Sequence, residues 1–232
     1  MPTARRPSNW AVLFHYVAPY FAYVLSLSFL PAVAPKPVVY AVAIAASAIG
    51  LARGWRWYLP LRGPRSPAAS VAAGVAAGVA GTALWVWIKA LLYPADGEAW
   101  APAAFWGRLV ASSTVVPVFE ELLFRGLVLL GAVQWDEARR AGDQDPLGTA
   151  LHERSVRDVA PGAWTPAALV ISTVAFAAGH APAEWPAALA YGLLMAALWI
   201  VRRDLLSCVV AHATTNLTLA LWVRATGHWA LW

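Results

Sequence analysis

Glu120 and Glu121 stand side by side in Pro117-Val118-Phe119-Glu120-Glu121-Leu122-Leu123-Phe124-Arg125-Gly126, within an apolar run long enough to cross a bilayer. An ionisable group at membrane depth costs roughly 2.5–3.5 kcal/mol on insertion scales, so a charge kept there reads as a functional site with a partner to be named. Helical spacing sorts the three charges. Glu121 and Arg125 are four apart on one face with the acid before the base, the favourable order for an ion pair. Glu120 points about 100° away and is left as a carboxylate free for acid–base chemistry. The bland alternative is that all three form one structural knot.

Two later apolar runs add groups that complement a free carboxylate. Phe176-Ala177-Ala178-Gly179-His180 places a histidine late in one run, and His212 and Asn216 lie four apart on one face of another. Two histidines, an asparagine and a spare glutamate are a set of the right chemical kind for hydrolysis. Cys208, the single cysteine, sits in an apolar run and reads as a small core hydrophobe. His15, His152 and His228 lack partners at useful spacing. Glu184 is expected to be solvated in a short outer loop. Arg108 is expected to reach outward to the interface, with a substrate-binding role as the alternative.

These residues need a membrane-embedded frame. The chain has 232 residues, of which 60% are hydrophobic and 12% charged, about half the charged fraction of soluble domains. The composition predicts an all-α, polytopic transmembrane helix bundle of about seven spans. They run over 10–30, 38–52, 68–93, 102–130, 164–181, 185–201 and 205–223. The first exceeds the length of a signal-peptide core and is read as retained. The third carries Gly74-Val75-Ala76-Ala77-Gly78, a small-xxx-small surface for close helix packing. Residues 134–163 form the one sizeable polar loop, with room for a short amphipathic helix.

Basic residues orient this bundle. With the N-terminus cytoplasmic, twelve basic residues, from Arg5 and Arg6 to Arg202 and Arg203, fall inside, and two, Lys36 and Arg224, fall outside. The formal charge of +5 is thereby assigned to topology, and no nucleic-acid partner is expected. Counting from the cytoplasmic ends at 1.5 Å per residue, Glu120 lies roughly 15 Å deep, His212 roughly 12 Å, Asn216 roughly 18 Å and His180 roughly 23 Å. His180 meets the others only if its helix tilts or the connection after it dips inward. The shallower three make cytoplasmic-side access the expectation.

Glu120-Glu121-x-x-x-Arg125, Phe176-x-x-x-His180 and His212-x-x-x-Asn216 together resemble, in order, the three signature motifs of the CPBP family of intramembrane proteases, which includes the CAAX prenyl endopeptidases of the Rce1 type. The resemblance covers about residues 101–224, and the segment from His212 to Trp229 also resembles a bacterial subgroup associated with exosortase systems. It implies N-terminal helices over 1–100, a catalytic core over 101–232 with a cytoplasmic loop at 134–163, a bacterial inner-membrane location and a membrane-associated protein or peptide substrate. It further implies that Glu120 activates water, that His180 holds the water or shuttles its proton, and that His212 and Asn216 stabilise the oxyanion. Glu121, Arg125 and Phe176 would be supporting residues.

Chemistry agrees with those roles, since desolvated carboxylates make better bases and amide or ring N–H groups suit an oxyanion. Zinc held by Glu120, His180 and His212 is the less favoured option. A thermolysin-type site also needs a separate base, and Glu121 is already engaged by Arg125. No cofactor is therefore expected. Two other readings are a catalytically inactive scaffold or immunity-type protein on the same fold, and a haem held between His180 and His212.

Overall fold

A computed structural model describes residues 6–92 and 97–232. Arg5, Tyr93 and Asp96, which entered the reading above, lie outside the described residues. The described residues are helical with no strand, as the composition requires in lipid, where every backbone polar group must be satisfied within its own segment. The elements are α1 Asn9–Phe29, α2 Lys36–Gly54, α3 Pro67–Leu92, α4 Pro102–Ser113, α5 Val115–Glu121 and α6 Leu130–Arg140. After α6 come a single turn α7 Pro146–Gly148, then α8 Pro166–Ala178, α9 Trp185–Arg202 and α10 Leu205–Thr226.

Among the described residues five stretches are long and apolar enough to cross a membrane, namely Asn9–Ala32, Lys36–Trp57, Pro67–Leu92, Pro182–Arg202 and Leu205–Thr226. The two other expected spans take different forms. The run over 102–130 is one segmented rod, interrupted at Thr114 (φ −124°, ψ −81°) and continued as a π-helix over Leu122–Leu129. The run over 164–181 is a helix of only 13 residues, α8, or about 20 Å, shorter than a bilayer's apolar core. The expected polar loop begins as helix, because α6 runs on to Arg140.

One apolar core joins the two halves of the chain, with Val12, Tyr16 and Leu51 from the first helices in the same cluster as Phe119, Leu122, Phe176 and Met195. Large side chains such as Phe14, Phe29, Trp87 and Val170 face outward, as a lipid-facing surface requires. Pro19 stands inside α1 and removes the N–H that would bond the His15 carbonyl. The Tyr58 hydroxyl donates to that carbonyl at 2.8 Å instead.

α3 and α10 pack along the glycines of the small-residue motif. A Cβ at Gly74 would stand 2.8 Å from the Ser207 carbonyl oxygen, and one at Gly78 would stand 2.6 Å from that of Ala211. Only hydrogen fits at these contacts. Asp204 starts α10, accepting from the Ser207 N–H at 2.7 Å and from the Ser70 hydroxyl at 2.7 Å, an N-cap that also ties α10 to α3. Thr215 donates to the Gly78 carbonyl at 2.9 Å. The helix carrying His212 and Asn216 is thus fixed at its start and along its length.

Candidate active site

Glu120 and Glu121 end α5, and the chain then widens into the π-helix, a form frequent at functional sites. Here it leaves the Phe124 carbonyl to accept from the Ser172 hydroxyl on α8 at 2.8 Å. The expected ion pair is present. Arg125 Nη1 donates to Glu121 Oε1 at 3.3 Å, Nε lies 3.3 Å from Oε2, and both side chains are enclosed. Arg125 Nη2 also donates to the Gly192 carbonyl at 3.3 Å, and its guanidinium lies 4.8 Å over the Phe176 ring. The buried cation is therefore met by an anion, a carbonyl and a ring face.

Glu121 has a second partner that helical spacing did not reveal. Its Oε1 accepts from His212 Nδ1 at 2.8 Å. That contact assigns a hydrogen to Nδ1, because a carboxylate can only accept. His212 Nε2 then faces Glu120 Oε2 at 3.9 Å, too far for a direct hydrogen bond and wide enough for both groups to address a third. Glu120 keeps 15% of its side-chain surface accessible, whereas Glu121 has none.

His180 lies two residues beyond the end of α8. Its Nδ1 is 3.0 Å from the Phe176 carbonyl, which again assigns the hydrogen to Nδ1 and leaves Nε2 as the acceptor. α8 stops at Ala178 and a turn follows over Pro182–Glu184, and His180, between them, lines the same cavity as Glu120. Trp185 Nε1 donates to the His180 carbonyl at 3.1 Å. Phe176 is the common wall, its ring centroid 4.8 Å from that of His180 and 6.0 Å from that of His212.

Asn216 Nδ2 donates to the Ser112 carbonyl at 2.7 Å. That carbonyl belongs to the last turn before the break at Thr114, where the helical ladder stops. One amide N–H thus pins the side chain, and the other remains for a ligand.

Glu120, His180, His212 and Asn216 line a single cavity of about 320 Å³. Tyr191 and Thr215 complete its wall, the Tyr191 hydroxyl 3.1 Å from Thr215 Oγ1. Neither residue was singled out from sequence, since a tyrosine and a threonine in apolar helices carry no spacing signal. The cavity extends past Arg108 and Glu184 to Leu231 and Trp232, at the ends of α4, α8, α9 and α10 opposite the arginine-rich loops. The expectation of access from the arginine-rich side is corrected accordingly. Depth along a helix locates a residue but not the opening, and the short α8 with the break in α4 leaves space at the other end.

Glu184 is corrected as well. Its side chain is 23% exposed and lies 3.8 Å from Lys89 Nζ, so an ion pair replaces the expected solvated group. His15, His152 and His228 pack against Trp57, Trp10 and Trp222 and stay out of the cavity. Cys208 is buried with a free thiol.

In both cavity histidines Nδ1 is engaged and Nε2 is left open toward the cavity, with His212 Nε2 3.9 Å from the Glu120 carboxylate; among the described residues no group of three or more His, Cys, Asp or Glu side chains is arranged to hold a metal ion.

The family model for type II CAAX prenyl endopeptidase Rce1-like proteins matches residues 102–218, the stretch from the start of α4 through Asn216. The chain belongs to this family. It is an integral membrane protein of a peptidase family. No curated protein and no solved structure matches the chain.

Proposed function

We propose that this chain is an intramembrane endopeptidase of the bacterial cytoplasmic membrane, hydrolysing a peptide bond of a membrane-associated protein with water activated by Glu120 and without a metal. The observation that carries the reading is the convergence of Glu120, His180, His212 and Asn216, from three separate segments, on one cavity inside an apolar bundle. Family membership supports the peptidase class. The bacterial location rests on the resemblance of the C-terminal segment, and the N-in orientation on the distribution of arginines.

Water between Glu120 and the His180 Nε2 gives a proton to Glu120 while its oxygen bonds to the scissile carbonyl carbon. The oxyanion takes the second Asn216 N–H and the Nε2–H of a doubly protonated His212, whose Nδ1–H stays on Glu121. Glu120 then returns the proton to the nitrogen as the C–N bond breaks, yielding a carboxylic acid and an amine, and the remaining water proton passes from the acid to the amine to leave a carboxylate and an ammonium. His180 holds the water through its bare nitrogen. The opening beside Arg108 and Trp232 admits substrate from the face opposite the arginine-rich loops.

The test compares new protein termini in membranes of cells expressing wild type or Glu120→Ala at matched levels. Termini found only with wild type are expected, and their sequences name the substrates. Identical profiles with the cellular phenotype retained would overturn the reading in favour of an inactive scaffold or immunity-type protein. Purified protein is expected to hold no stoichiometric zinc and to keep its turnover in 1,10-phenanthroline.

A further inference from the structure

Arg108 is a cation lining the reaction cavity, beside its opening. Its guanidinium lies 4.7 Å from the ring centroid of Trp100 and 4.8 Å from that of Trp232. The two indoles stack on each other with 6.1 Å between centroids, so the guanidinium packs beside the pair rather than between them, and its N–H groups remain for another partner. Among the described residues no carboxylate lies within ion-pair distance of it. The other charged groups of the cavity are accounted for, since Glu184 pairs with Lys89 and Glu120 faces His212. The cavity therefore has an anionic pole at Glu120 and a cationic pole at Arg108.

We infer that Arg108 is a specificity-determining residue, which receives a carboxylate of the bound peptide, from either its C-terminus or an acidic side chain. The inference rests on the peptidase reading, because peptide occupancy is what makes the anion a carboxylate. A guanidinium fork matches a carboxylate with two parallel hydrogen bonds. Arg108 and Glu120 stand on either side of the break at Thr114 and line the same cavity, so the carboxylate belongs to the same bound peptide as the cleaved bond. An arginine that only anchors the bundle at the interface would give cleavage without regard to substrate charge.

The probe is a synthetic peptide library presented to the purified full chain in lipid nanodiscs, with cleavage sites read by mass spectrometry. One arm has free C-termini, a second has amidated C-termini, and a third has amidated C-termini with all Asp and Glu replaced by Asn and Gln. Wild type is expected to cleave the third arm about 10–100-fold less efficiently in kcat/KM, the usual worth of a hydrogen-bonded charge pair. The first two arms identify whether the carboxylate is terminal or a side chain. Arg108→Gln is expected to cleave all arms at the low rate of the third, through a raised KM, and Arg108→Lys to recover part of the difference.

Wild-type cleavage that is equal across the arms would overturn the inference while leaving the peptidase reading intact, whatever the folding of the variants. Wild type that cleaves none of the arms, and yields no new termini in membranes, would overturn both.

Discussion

Glu121→Gln separates the two duties that the structure gives to Glu121. The substitution keeps the side chain's shape but removes the anion that faces Arg125 at 3.3 Å and accepts from His212 Nδ1 at 2.8 Å. Arg125 is 1% exposed, so it becomes a buried charge without its counterion, a loss of about 3–5 kcal/mol. That is a large share of the roughly 5–15 kcal/mol by which native proteins are stable. The glutamine oxygen can still accept from His212 Nδ1, but the negative charge that balances a protonated His212 is gone. Its oxyanion hydrogen bond weakens with it, and one such donor is worth about 10²–10³ in kcat. The assay pairs unfolding in detergent micelles, followed by tryptophan fluorescence, with turnover of a peptide drawn from the wild-type cleavage products. A Glu121→Gln, Arg125→Met double variant has no uncompensated charge. It is expected to regain most of the stability and none of the turnover, because His212 still lacks its carboxylate. Recovery of both in the double variant would refute a charge-balancing role for Glu121 at His212, and a single variant with wild-type stability would refute the ion pair.

Gly78→Val is expected to destabilise the bundle by about 1–3 kcal/mol, the usual range for overpacking, since its Cβ would meet the Ala211 carbonyl at 2.6 Å and Thr214 Cβ at 2.5 Å; micelle unfolding measures the shift, and an unchanged midpoint would mean that α3 and α10 are not in contact. At the end of α6, outside the spans, the hydrogen bond from Arg139, with Thr165 and Arg140 adding to it, holds the Asp136 carboxyl below the usual carboxylate range. A lowered folded-state value contributes stability above the unfolded-state value, about pH 4, and loses it as pH falls through the lower one. Asp136→Asn is therefore expected to lower Tm at neutral pH by an amount that shrinks below about pH 4, read from paired melting curves.

Much of the frame was legible because lipid leaves few choices. Apolar length gave the helices, and the four-residue spacings of Glu121 with Arg125 and His212 with Asn216 gave the faces. What escaped sequence reading was set by tertiary contacts with no local period. The break at Thr114 and the π-helix from Leu122 fall in a run whose composition suits one unbroken helix. Their result, the Ser112 carbonyl held by Asn216, depends on a helix a hundred residues away. The second partner of Glu121 belongs to the same class, since nothing near residue 121 announces that His212 arrives there. Depth counting left a gap between His180 and the other three that only tertiary contacts could close, and the four line one cavity, with α8 ending at Ala178 just before His180. Lys89 and Glu184 were separated in the sequence reading by their assignment to a span and a loop, although both stand at the same end of the bundle.

In the proposed reaction the buried charges balance within a dry site. That reaction takes His212 doubly protonated, so that Glu120, Glu121, Arg125 and His212 sum to zero, two anions against two cations, within an enclosure where an uncompensated charge would be expensive. In its first step Glu120 is neutralised by the proton it takes from water, and the negative charge reappears on the substrate oxyanion, within reach of the same His212. The net charge of the cavity is unchanged along the reaction. What moves is the position of one negative charge, from a carboxylate that His212 Nε2 faces at 3.9 Å to an oxygen that can approach it at hydrogen-bond distance. Fixed donors that bind the displaced charge better than the original one favour the transition state over the ground state. Arg125 contributes without touching substrate, because its pairing with Glu121 lets a second carboxylate be buried next to Glu120.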